Sequence, residues 1–374
     1  MMTETKKYAL YVHIPFCKRK CAYCDFCSFS ETAEQRAEYI KKLSSEIEEY
    51  KGEGLVLDTV FFGGGTPSIL TPREFSEIVK AIGDSFKISE GAEFTVECNP
   101  KTLTPEKLKT YKKLGVNRLS IGLQSIHENE LKILGRIHNF DDFLVSYNLA
   151  RAAGFDNINI DLMYGIPEQT VASFDETLGK IIALSPEHIS AYGLIIEEGT
   201  PIYEKRSALK FPTEDEECEM YYLAAKKLKA AGYRHYEISN YAKSGKLCRH
   251  NLKYWNNEEY IGVGAAAHSY FKGVRYSNSS DFSEYLAAAC VAQREVDGER
   301  EPTDPFEYAM LKLRLDEGIS LAEYRKLFGE SFEAGKESAL ARFCEAGLMK
   351  RDAYRIYLTE KGFYLSNSVL SEIL

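Results

Sequence analysis

Six short β-rich runs alternate with stretches of helical length through the first two-thirds of the chain. That alternation constrains the fold more than any other feature. The runs are 8–14 (YALYVHI), 57–63 (LDTVFFG), 92–98 (AEFTVEC), 117–123 (NRLSIGL), 157–163 (NINIDLM) and 188–195 (HISAYGLI). Helix-like segments lie between them at Arg36–Tyr50, Pro72–Ile82, Pro105–Leu114, Phe140–Ala153 and Phe174–Leu184. Such repetition predicts a parallel sheet with right-handed crossovers. Polar and glycine-rich residues collect at one end of these strands. Cysteines follow the first, Gly63-Gly64-Gly65-Thr66 follows the second and Glu97 ends the third; Gln124 follows the fourth, Asp161 sits late in the fifth and Tyr192 lies in the sixth. Polar residues at the carboxyl ends of successive parallel strands mark the working face of a barrel or related fold. Six units fall short of a complete barrel of eight. The expectation is an α/β fold, a partial (open) TIM-type barrel of about six βα units.

The chain has 374 residues, enough for more than one domain. After about residue 200 the alternation stops. Residues 233–270 are rich in Tyr, His, Asn and Gly, which suits an ordered extension. Helical patterning resumes at Pro302, and 347–362 closes with a turn-and-strand pattern like a winged-helix tail. The expected division is a barrel core over 1–232, an extension over 233–300 and a mainly helical, winged-helix-like subdomain over 301–374. No apolar run reaches the roughly 18–20 residues of a membrane span, and the N-terminal apolar stretch is too short for a signal peptide. A cytoplasmic location is expected, with peripheral membrane association left open. A net charge of −9 argues against a general nucleic-acid binder.

Four of the nine cysteines, Cys17, Cys21, Cys24 and Cys27, crowd into eleven residues. Cys98, Cys218, Cys248, Cys290 and Cys344 are scattered, and burial is the expected role for most of them. In a reducing compartment this reads as one metal site plus free thiols. Cys17-Lys-Arg-Lys-Cys21-Ala-Tyr-Cys24 gives CxxxCxxC directly after an apolar strand. Three thiolates at this spacing can each hold one iron of a cubane cluster, leaving the fourth iron open to a second molecule. The run Lys18-Arg19-Lys20 would offset part of the cluster's negative charge. The alternative is structural zinc with His13 or Cys27 as fourth ligand. Zinc sites usually draw on two separated pairs, and no second CxxC is present.

CxxxCxxC followed by GGGTP at the next strand end resembles the radical S-adenosylmethionine superfamily. YVHIPFC, CDF, FFGGGTPS, IGLQS, LGRIHN, IDLMYGIPEQT and HNLKYW, in that order, resemble the group that joins oxygen-independent coproporphyrinogen oxidases with the HemW haem chaperones. The resemblance implies that Cys17, Cys21 and Cys24 bind a [4Fe–4S] cluster whose open iron takes S-adenosylmethionine. It places Tyr11 and Tyr23 near the cluster and the adenine, and Gly64, Gly65 and Thr66 at the cosubstrate's amino-acid end. Glu97, Gln124, Arg136 and Asp161 match the remaining polar contacts. His13 resembles a family position but reads equally well as a packed strand histidine. No catalytic residue is assigned.

The two branches divide at readable positions. The oxidases resemble CxxxCxxCxC, and Phe26 stands here at the place of the fourth cysteine. Cys27 lies one residue later, and because such a shift changes side-chain direction it is not taken as a replacement for that cysteine. Only sixteen residues precede Cys17, shorter than the oxidases' N-terminal region. His250-Asn251-Leu252-Lys253-Tyr254-Trp255 resembles the HNxxYW motif associated with haem in the chaperone branch. An imidazole there could ligate haem iron, with binding weakening in acid as the ring protonates. Packing of a domain edge is the other reading of the same residues. The resemblance thus implies a haem chaperone that binds haem, a [4Fe–4S] cluster and S-adenosylmethionine and passes haem to an unknown acceptor protein. The alternative is an oxygen-independent coproporphyrinogen III oxidase acting by radical decarboxylation.

Overall fold

The computed structural model describes residues 6–30, 32–288, 295–296 and 304–374. Cys290 and the division at 300/301 lie outside them. Six parallel strands carry the core: β1 (Lys7–Ile14), β2 (Val56–Gly64), β3 (Lys87–Cys98), β4 (Arg118–Gln124), β5 (Ile158–Tyr164) and β6 (His188–Gly193). Each pairs in parallel with the next. Every residue of β4 is buried, as a central parallel strand covered on both faces requires. Helices Ala33–Glu48, Pro72–Ser85, Pro105–Lys113, Phe140–Ala152 and Val171–Leu184 connect the strands. Capping boxes open most of them, Thr32 with Gln35, Thr71 with Glu74, Asn139 with Asp142 and Thr170 with Ser173. In each, one side chain satisfies an amide the helix leaves unpaired and a second reaches back. Their apolar faces join the outer face of the sheet in one core, centred on Leu43, Phe62, Phe75, Phe94, Phe143 and Phe174.

Six strand–helix units in an open arrangement agree with the expected partial barrel. Two helices of this region are additional to the expected ones. Glu128–Ile133 is a short helix after β4, and Glu214–Ala230 is a seventeen-residue helix opened by a Thr213–Glu216 capping box.

The extension builds onto both edges of the barrel's sheet. Asn240–Ala242 pairs antiparallel with β6, and Arg234–His235 pairs beyond it. At the opposite edge Tyr260–Val263 pairs in parallel with β1. His268–Phe271, Val274–Ser277 and Glu295–Val296 continue outward, making a sheet of twelve strands. The chain between Ala242 and Tyr260 therefore crosses from one open edge to the other, and it carries the helix Arg249–Trp255. The C-terminal part has its own core around Ile319, Tyr324, Phe332, Phe343 and Ile356. There a three-stranded antiparallel sheet packs with five short helices between Pro305 and Ile373, as the winged-helix-like pattern anticipated.

Candidate cofactor site

A cavity of about 530 Å³ opens at the carboxyl ends of β1–β6. It brings together eleven of the expected residues: Cys17, Cys21, Tyr23, Cys24, Gly64, Gly65, Thr66, Glu97, Gln124, Arg136 and Asp161. The loop after β1 supplies the thiols. That loop is pinned to its strand by His13, whose Nε2 meets the Cys27 carbonyl oxygen at 2.9 Å and whose Nδ1 meets the Tyr11 hydroxyl at 3.1 Å. His13 and Cys27 are both absent from the cavity lining. The Cys27 thiol instead donates to the Ser280 carbonyl at 3.4 Å. Phe26 reaches the cavity edge with 63% of its surface exposed.

A polar ring links two of the thiols. Cys17 Sγ lies 3.4 Å from Thr66 Oγ1, which accepts from Asn99 Nδ2 at 2.8 Å. Asn99 Oδ1 accepts from Arg136 Nη2 at 2.5 Å, and Arg136 Nη1 reaches Cys21 Sγ at 3.4 Å. Arg136 Nη2 also donates to the Gly122 carbonyl at 2.7 Å. Burial raises the Cys17 and Cys24 thiols above their ordinary range, and the Thr66 hydroxyl offsets part of the rise at Cys17. Asn99 was not singled out from the sequence. Its signal was the ECNP run at the end of β3, where only Glu97 drew attention.

Across the cavity Glu97 is pushed up to about 8, first by burial and then by the neighbouring Asp161 carboxylate. Burial also raises Asp161. Gln124 adopts φ of +72°, a conformation costly for a residue with a side chain, and accepts from the Tyr192 hydroxyl at 2.9 Å. Gly64 and Gly65 line the cavity, and they also permit close packing behind it. A Cβ on Gly64 would sit 2.6 Å from the His13 ring, and one on Gly65 would sit 2.9 Å from the backbone of Phe16. Their bareness lets β2 close against the start of the cysteine loop.

Three observations test whether a cluster and cosubstrate fit. Three thiols border one cavity beside a guanidinium. The buried Arg136 Nε has no hydrogen-bond partner, and the residue lines the cavity. Among the described residues no group of three or more His, Cys, Asp or Glu side chains is gathered to hold a single metal ion. A cubane attaches each thiolate to a different iron, so its three ligands need not converge on one point. The residues fit the polynuclear group.

Tyr11 and His250 are not brought to this cavity. Tyr11 lies inside the barrel, stacked on Phe61 at 6.2 Å between ring centroids. His250 is 1% exposed near the amino ends of the strands. Its Nδ1 meets Thr59 Oγ1 at 2.9 Å and its Nε2 meets the Tyr254 hydroxyl at 2.8 Å. Glu93 accepts from the amides of Arg249 and His250, and the ring stacks on Phe61 at 5.0 Å. Both ring nitrogens are engaged, so the structure does not present His250 as an open ligand. Burial, then the Arg118 and Lys253 charges, lower its pKa to about 3, and the ring stays neutral through the ordinary histidine range.

Residues 11–181 match the family model of the radical SAM superfamily, and 301–365 match that of the HemN C-terminal domain. The haem chaperone HemW of Bacillus subtilis (strain 168) is 37% identical over 372 residues, covering 97% of this chain and 98% of that protein. Its Escherichia coli (strain K12) counterpart is 34% identical over 393 residues, covering 100% of both. The chain belongs to the HemW haem chaperone family. Membership of the radical SAM superfamily implies S-adenosylmethionine and a [4Fe–4S] cluster as cofactors. The solved coproporphyrinogen III oxidase of Escherichia coli superposes with a TM-score of 0.84, covering 99% of this chain and 90% of that one at 22% identity. That likeness establishes a shared fold. No helix of the described residues in this HemW family member is long and apolar enough to cross a membrane.

Motifs shared by the HemW resemblance also act as braces. Buried Glu130 accepts from Ser125 of IGLQS at 2.6 Å, from Gln169 of IPEQT at 3.0 Å and from Ser173 at 2.7 Å. These bonds tie the turns after β4 and β5 together below Arg136. Glu130 lies between the IGLQS and LGRIHN motifs and belongs to neither, so nothing in the sequence marked it.

Proposed function

We propose that this protein binds haem and passes it to an acceptor protein, and that Cys17, Cys21 and Cys24 hold a [4Fe–4S] cluster while the cavity beside them takes S-adenosylmethionine. The observation that carries the cofactor assignment is the convergence of three thiols, Arg136 and the Glu97–Asp161 pair on one cavity at the strand ends. Haem binding rests on the HemW relatives that match across the whole chain.

When bound, the cluster supplies an electron and an open iron at which the cosubstrate is held. The chain's own groups then have separable tasks. Arg136 keeps its charge beside Cys17 and Cys21, where it would offset part of the negative charge of a thiolate-held cluster. Tyr23 borders the cavity from the cysteine loop, where its ring can cover an adenine. Thr66, Gln124 and Asp161 offer polar groups to hydroxyl and amino-acid functions. Glu97 gives up its proton more readily once a cationic group lies beside it.

Phe26 favours the chaperone over the oxidase, because the side chain at the place of the oxidases' fourth cysteine is an exposed ring without ligand chemistry. His250 carries no part of the haem assignment, since its nitrogens are already bonded. The test is an anaerobic titration of reconstituted protein with haem, followed by incubation with coproporphyrinogen III, S-adenosylmethionine and a reductant. The expected result is about one haem per chain and no decarboxylated product. Turnover to protoporphyrinogen would overturn the reading in favour of the oxidase.

A further inference from the structure

A hydrogen-bonded line runs through the barrel from the cavity to the helix Arg249–Trp255. It begins at Asp161, whose Oδ1 accepts from Asn159 Nδ2 at 2.7 Å and whose Oδ2 accepts from Ser120 Oγ at 3.2 Å. Asn159 Nδ2 also donates to Ser120 Oγ at 2.8 Å. With both amide hydrogens committed, Asn159 Oδ1 must accept, and His188 Nδ1 lies 2.6 Å from it. His188 Nε2 is then the accepting nitrogen, 2.8 Å from the Tyr236 hydroxyl. The Tyr236 oxygen in turn accepts the backbone amide of Cys248 at 3.4 Å. Cys248 immediately precedes the helix, and Glu93 holds the next two amides.

The sheet register explains the alignment. Ser120, Asn159 and His188 are direct partners across β4, β5 and β6, and Asp161 is two residues from Asn159 on the same face. Asn159, His188, Tyr236 and Cys248 are each no more than 2% exposed. Water therefore has little chance to replace a broken link, and a displaced member forces its neighbours to move or leaves them unpaired. The donors and acceptors admit one tautomer of His188, so the line has a fixed direction.

We propose that His188 is a positioning residue that couples the cofactor cavity to the helix Arg249–Trp255. By donating to Asn159 it sets the Asp161 carboxyl at the cavity, and by accepting from Tyr236 it registers that setting at the helix's first turn. This rests on the reading that the cavity takes S-adenosylmethionine. Coupling carried by such a network is reciprocal: whatever loosens the helix also weakens cosubstrate binding.

The experiment uses the full-length, anaerobically reconstituted protein and S-adenosylmethionine as the probe. Binding is measured by equilibrium dialysis, and amide hydrogen exchange is followed in a peptide covering 247–256. In the wild type the cosubstrate slows exchange there by about fivefold or more. Tyr236→Phe keeps the ring but removes the link; binding stays within about threefold and the slowing disappears. Independently, His188→Leu lowers cosubstrate affinity by about tenfold, while His188→Asn, whose Nδ2 takes the place of the ring Nδ1 as donor to Asn159, retains most of it. Undiminished slowing in Tyr236→Phe, no slowing in the wild type with cosubstrate bound, or equal losses in the Leu and Asn variants would each overturn the coupling. Absence of any cosubstrate binding to the wild type would instead remove the cofactor reading on which it stands.

Discussion

The two ends of this barrel use similar side chains in opposite ways. At the carboxyl ends, Cys17, Cys21, Cys24 and Arg136 border a cavity, and the Arg136 Nε has no partner. At the amino ends, His250, Glu93 and Thr59 are buried and bonded to one another or to the neighbouring backbone. Both regions carry motifs that look like ligand sites in sequence. What separates them is access: the upper group lines a cavity, and the lower group is buried with both imidazole nitrogens bonded. The lower motif lies on the stretch that carries the chain from the β6 edge to the β1 edge of the open barrel.

The largest effect that would break this contrast comes from the thiols. Replacing Cys17, Cys21 or Cys24 by Ala is expected to reduce iron after anaerobic reconstitution from about four per chain to near zero, while Cys27→Ala leaves it unchanged. Iron and sulfide assays decide this, and loss of iron in Cys27→Ala would show a wrong ligand set. The next effect belongs to the lower end. His250→Ala removes a buried ring and two hydrogen bonds, so a loss of about 3 kcal/mol in folding stability is expected with iron content intact. Unchanged denaturation midpoints together with lost haem binding would restore His250 as an open ligand.

Acid sharpens the same point. The folded pKa of His250, about 3, lies below the ordinary 6.5. The unfolded chain therefore takes up the proton first. The ring's contribution is fully present above pH 6.5 and is lost as pH falls towards about 3, by up to roughly 1.4 kcal/mol per pH unit. Glu97 behaves in the opposite sense. Its folded pKa of about 8 exceeds the ordinary 4.5, so its contribution is fully present below 4.5 and declines as pH rises through about 8. Thermal melts of ligand-free protein across pH 5–9 should show that decline, and Glu97→Gln should flatten it. The smallest effect is Phe26→Ser, which should shift stability by no more than about 0.5 kcal/mol and leave iron unchanged. A marked loss of iron there would give Phe26 a part in holding the cysteine loop.

The barrel was legible because buried parallel strands read as apolar runs and their connecting helices carry separate caps. The cavity was legible because its residues sit at the ends of those strands, so order along the chain mapped onto position around the mouth. The added strands were not. Arg234–His235, Asn240–Ala242 and Tyr260–Val263 span only two to four residues and gain their pairing from edges distant in sequence. Asn99 and Glu130 escaped for a related reason, since their roles exist only through partners from other strands and turns. The HNxxYW motif shows the limit most clearly. Its residue types match a ligand site, but residue type cannot reveal that Thr59 and Tyr254 already occupy both imidazole nitrogens.

The most direct test of the central claim is the low-temperature EPR spectrum of the reduced, anaerobically reconstituted protein with and without S-adenosylmethionine. If the cavity at the carboxyl ends holds a [4Fe–4S] cluster on three thiolates with one iron open, adding the cosubstrate shifts the signal in the wild type and equally in His250→Ala. A spectrum unchanged at saturating cosubstrate, or a shift that depends on His250, would contradict the account.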